Sequence, residues 1–123
     1  MKATTATKKI RRARRHNKIR ARVIGSAARP RLSVYRSLTQ VHGQIIDDAT
    51  GKTLAAVTTA DLQKGEAGER VGKIAQSYLG GKKIAELAAA KKITTVTFDR
   101  GGFRYHGRVR AFAEGARDGG LEF

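Results

Sequence analysis

The sequence predicts an α/β domain with the element order βββαβα, preceded by a basic amino-terminal arm. Three observations lead there: strand-like alternation over residues 31–59, a change to helical spacing over residues 65–91, and a lopsided distribution of charge. Residues 1–36 hold 13 of the 26 Lys and Arg and no acid, whereas residues 37–123 hold the other 13 against 10 acids, so the two parts carry +13 and +3.

Each element has its own signal. Pro30 disfavours helix at Arg29 and opens a strand over Arg31 to Arg36, where Leu32 and Val34 alternate with Ser33 and Tyr35. A short link at Leu38 to Gln40 leads into a second strand, Val41 to Asp47. Asp48-Ala49-Thr50-Gly51 carries turn chemistry, and a third strand runs from Lys52 to Thr59. From Gly65 to Lys91, Val71, Ile74, Tyr78, Ile84, Ala85 and Ala88 trace one helical stripe. Gly80-Gly81 inside it marks either a break or the close approach of another backbone. Ile93 to Phe98 reads as a strand buried by a crossover, and Val109, Phe112, Ala113 and Ala116 define a last helix that stops at Gly119-Gly120. The expected architecture is an antiparallel three-stranded meander plus a fourth strand parallel to the first, covered by helices. This is the core topology of ribonuclease-H-like folds. Residues 29–123 form the single α/β domain, and residues 1–28 form the arm, disordered or helical on RNA.

At 123 residues and 40% hydrophobic composition there is room for one core. A net charge of +16 with a pI near 11.2 calls for a polyanionic partner, nucleic acid before membrane. There is no cysteine, so disulfides and thiolate metal sites are excluded. The apolar runs are too short to span a membrane, and the basic start has no apolar stretch behind it as a secretory signal would; a cytoplasmic protein is expected. In the arm, Lys8, Lys9, Arg11, Arg12, Arg14, Arg15, Lys18, Arg20 and Arg22 accompany only Ile10, Ile19 and Val23 as large apolar residues. That is too little for a core or for an amphipathic membrane helix. Arginine forks suit phosphate, and Arg29, Arg31 and Arg36 extend the same surface. With no aromatic residue in the arm, phosphate-rich structured RNA fits better than a single-strand stacking platform.

The ribonuclease-H-like order raises a rival function, a metal-dependent nuclease. Such an enzyme needs converging carboxylates to hold two divalent ions. The first strand has none, Asp47 and Asp48 fall at a turn, and only Asp99 ends a central strand, where an ion pair or loop cap is expected of it. His16, His42 and His106 are scattered, and no phosphate-binding loop or nucleophile turn is present. No catalytic residue, metal, cofactor or small-molecule substrate is therefore expected. A basic adaptor for a protein partner is the other alternative. The segment from Asp99 to Arg110 gathers Arg100, Arg104, Tyr105, His106, Arg108 and Arg110 around three glycines, and such a loop can bring backbone close to phosphate. Phe103 and Tyr105 could equally cover the end of the sheet.

The run from Phe98 through Arg110, the ending Ala116-Arg117-Asp118-Gly119-Gly120-Leu121-Glu122-Phe123, and Arg29-Pro30-Arg31-Leu32-Ser33-Val34-Tyr35-Arg36-Ser37 closely resemble bacterial large-subunit ribosomal protein eighteen. The resemblance spans nearly the whole chain. It implies a protein that binds 5S ribosomal RNA (5S rRNA) through its basic amino-terminal part and its sheet-side surface. It further implies that the protein helps join 5S to 23S ribosomal RNA in the central protuberance, beside neighbouring large-subunit proteins. The turn departs from the family pattern: Leu38-Thr39-Gln40-Val41-His42-Gly43-Gln44 stands where the family usually has Asn or Ser with Lys and His before an Ile-Tyr-Ala-Gln run.

Overall fold

The computed structural model describes residues 5–20, 29–61 and 72–123. After a helix α1 (Thr5–Arg20) come strands β1 (Arg31–Arg36), β2 (Val41–Asp47) and β3 (Lys52–Thr58), helix α2 (Gly72–Ala90), strand β4 (Thr97–Asp99) and helix α3 (Gly107–Asp118). The sheet order is β3-β2-β1-β4. Leu32 pairs with Ile45 across the antiparallel β1–β2 ladder, and Ser33 pairs with Asp99 across the parallel β1–β4 ladder. The expected meander and parallel fourth strand are both present.

Alternation decides which face is covered. Leu32, Val34, Val41 and Ile45 point to one side, where Ile84, Ala85 and Ala88 of α2 and Val109, Phe112 and Ala116 of α3 complete the core. Fully burying a side chain such as Ile45 or Phe112 is worth about 1.5–3 kcal/mol, so this layer dominates the stability. Arg31, Ser33 and Tyr35 of β1, with His42 and Gln44 of β2, stay on the opposite face.

Two strand boundaries differ from expectation. The third strand ends at Thr58 because Thr59 turns inward, accepting from the Val41 amide at 3.1 Å and donating to Gln40 Oε1 at 2.5 Å. The fourth strand starts only at Thr97. Its amide bonds Pro30 O at 2.8 Å, and before that point β1 offers no partner, so Val96 and Thr94 bond to Glu122 of the carboxyl end instead. Gly80-Gly81 lies inside an unbroken α2, which decides the alternative in favour of close approach. A Cβ on Gly81 would overlap the Phe112 carbonyl oxygen and come within 2.7 Å of the Ala116 nitrogen, so α2 and α3 cross backbone to backbone there. The first part of the expected helix, residues 65–71, lies outside the described residues.

Candidate nucleic-acid interface

The described part of the arm is one helix. Lys, Arg and Ala are good helix formers, and Lys18 and Arg20 in the last turn favour the carboxyl-terminal dipole, so α1 has local reasons to form. It has little apolar reason to dock, for Ile10 is 53% exposed. Its attachment is polar and aromatic instead. Arg12 lies over the Phe103 ring at 4.9 Å, Arg15 Nε donates to Gly102 O at 2.9 Å, and His16 Nε2 is 3.5 Å from Asp99 Oδ2, an ion pair when the imidazole is protonated. Arg20 reaches Asp48 at 3.6 Å. Gly102 is what permits the approach: its φ of +79° suits glycine, and a Cβ there would meet the Arg12 carbonyl and the His16 nitrogen.

This docking divides the arm's cations. Arg12, Arg15, His16 and Arg20 are half-buried toward the domain, whereas Lys8, Lys9, Arg11, Arg14 and Lys18 are exposed. Between α1 and the loop after β4 lies a groove of about 740 Å³. Lys8, Lys9, Arg11, Arg12, Arg15, Arg36 and Arg104 line it, together with Leu38, Phe103, His106 and Gly107. Among the described residues, seven permanent cations share this concavity and no carboxylate lines it. Arg36 also lies over the Phe103 ring, at 5.5 Å, so the ring is approached by guanidinium groups from both α1 and β1.

The remaining candidates are placed differently. Arg31 is an internal cation: Nε and Nη2 hold both oxygens of Asp48 at 3.0 Å, and Nη1 holds the fully buried Asp99 at 2.9 Å. Its pKa is raised, chiefly by the hydrogen-bonded Asp48, although burial opposes the shift. Asp99 also accepts the Gly101 amide at 2.9 Å, so it is both ion pair and loop cap, with Arg31 rather than the adjacent Arg100 as its cation. Arg100 turns back to Phe103 O, and Arg29 bonds Val96 O. Arg108 donates to Leu38 O at 3.2 Å; its pKa is lowered chiefly by burial and secondarily by the nearby Arg36. Arg110 pairs with Glu114 on its own helix. Tyr105 packs edge-on against Phe98 at 6.0 Å, and its hydroxyl accepts from Arg117 at 3.3 Å. Arg22 lies outside the described residues. Sequence reasoning passes over Leu38, whose only signal is a large apolar residue in a polar turn.

Among the described residues no group of three His, Asp or Glu could hold a metal ion, and no helix is long and apolar enough to cross a membrane.

Residues 6–123 match the protein family described as ribosomal L18 of archaea, bacteria, mitochondria and chloroplast. The chain belongs to the ribosomal L18 family. Large ribosomal subunit protein uL18 of Nitratidesulfovibrio vulgaris is 53% identical over 119 residues, covering 97% of this chain and 99% of that protein. Its counterpart in Herpetosiphon aurantiacus is 51% identical over 113 residues, covering 91% and 93%, and that of Chlorobaculum parvum is 52% identical over 118 residues, covering 93% and 98%. As a ribosomal L18 protein, the chain is a structural constituent of the large ribosomal subunit and not an enzyme. Its place is the ribosome in the cytoplasm, with ribosomal RNA and other ribosomal proteins as expected partners.

Proposed function

We propose that this chain binds 5S rRNA with its basic groove and the outward side of α1, and helps attach that RNA to 23S ribosomal RNA in the central protuberance. The observation that carries the reading is the groove itself, with seven Lys and Arg and no acid among its described lining. Cations brought this close repel one another until an anion enters, and a phosphodiester backbone supplies several anions along one track. Arg36 and Arg104 extend the track from α1 onto the domain, while Arg14 and Lys18 extend it outward along the helix. Arg31, Arg29, Arg100 and Tyr105 position these groups by holding β1, β4 and the loop.

The strand order supports reading the core as ribonuclease-H-like, without the chemistry of those nucleases. The carboxylate nearest to a catalytic position, Asp99, is taken up by Arg31 and the Gly101 amide. A basic adaptor for an acidic protein partner would use the same charge but would leave no RNA on the purified protein. Sequencing the RNA that co-purifies with the tagged chain separates the two: enrichment of 5S rRNA is expected, and a protein ligand without RNA would overturn the reading.

A further inference from the structure

We infer that Leu38 packs against an unstacked nucleobase of the bound RNA. The inference rests on the RNA-binding reading above and names a contact of a different kind within the same site. Leu38 is the most exposed large apolar residue described, at 86%. A lone exposed leucine needs no explanation, so two further observations matter.

The first is that the turn is pinned. The Ser37 amide donates to Gln40 O at 2.9 Å, and Ser37 Oγ accepts from the Gln40 amide at 3.0 Å. The carbonyl of Leu38 accepts from Lys73 of α2 at 3.3 Å and from Arg108 of α3 at 3.2 Å. Gln40 is held in turn by Thr59 beyond β3. The backbone that presents Leu38 is therefore tied to three separate elements, and ordering it on binding costs little further entropy.

The second is position. Leu38 lines the same groove as Arg12, Arg36, Phe103, Arg104 and His106. An apolar protein surface seated on Leu38 would bury those cations without counter-charge, which is costly. An RNA strand meets both needs, with phosphates for the cations and the face of a splayed base for the leucine. Apolar side chains pack on nucleic-acid bases in this way where stacking is interrupted.

The test is a filter-binding salt titration of the full chain and of Leu38→Ala and Leu38→Met against 5S rRNA, with a thermal melt of each. Leu38→Ala is expected to bind about ten-fold more weakly, a loss of about 1.4 kcal/mol, with the wild-type salt slope and melting temperature. Leu38→Met, which keeps the apolar volume, is expected to bind within about two-fold of wild type. Leu38→Ala binding within about two-fold of wild type overturns the inference while leaving the RNA reading intact. Weaker binding with a flattened slope also overturns it, because the loss would then come from displaced cations. If the wild-type chain itself shows no affinity for RNA, the RNA reading fails and this inference with it.

Discussion

Arg31 and Arg36 bracket the same strand and look alike in the sequence, yet their surroundings assign them opposite work. Arg31 is 12% exposed and holds two carboxylates. Removing one partner of a buried cluster leaves uncompensated charge, so Arg31→Ala is expected to cost about 3–5 kcal/mol in urea unfolding. Arg36 faces the groove, and Arg36→Ala is expected to change stability by less than about 0.5 kcal/mol while weakening RNA binding. What separates them is Asp48 and Asp99, 17 and 68 residues away from Arg31, and no local pattern announces such partners. Tyr105 is ambiguous in the sequence for the same reason. It is 41% exposed, but its ring packs edge-on against Phe98. Tyr105→Ala is therefore expected to lower stability by about 0.5–1.5 kcal/mol, with RNA affinity well below the melting temperature close to wild type. A large fall in affinity without destabilisation would instead make Tyr105 a direct RNA contact.

Among the elements, helix packing and arm docking make separate predictions. Because Gly81 touches the α3 backbone, Gly81→Ala must push the two helices apart; a loss of about 1–3 kcal/mol in a thermal melt is expected, and an unchanged melt would contradict the close crossing. Docking of α1 is weaker in kind, resting, among the described contacts, on a guanidinium over a ring, the Arg15–Gly102 hydrogen bond, a His–Asp contact and the Arg20–Asp48 ion pair in place of apolar burial. Amide exchange over residues 8–20 is expected to be fast in the free protein and slow in the RNA complex; strong protection without RNA would contradict this. Strands β1 and β2 are legible to the residue, since Pro30, alternation and the 48–51 turn are local signals. The extent of β4 is not, because the residues before it, Thr94 to Val96, are taken up by Glu122, nor is the seat of α1, which needs Phe103, Gly102 and Asp99 at a distance of more than 80 residues. The candidate site is half visible in consequence: its charge can be counted, but its groove exists only once the arm meets the loop.

Among the described residues of the whole molecule, the groove that gathers the cations and the apolar core are built from different side chains apart from Phe103. Helices α2 and α3 and one sheet face build the stability, while α1, the end of β1 and the loop after β4 collect cations that the core does not use. The central claim is that those cations bind RNA by neutralising phosphate. Lys8, Lys9, Arg11, Arg14 and Lys18 are exposed on α1, so replacing all five by Gln removes charge without touching the core. The most direct measurement is the slope of log affinity for 5S rRNA against log salt concentration, compared between this variant and the wild-type chain. Affinity and slope are predicted to fall together, the slope by about 0.7–0.9 for each phosphate that is no longer neutralised, at an unchanged melting temperature; a variant that keeps both the wild-type affinity and the wild-type slope would contradict the account.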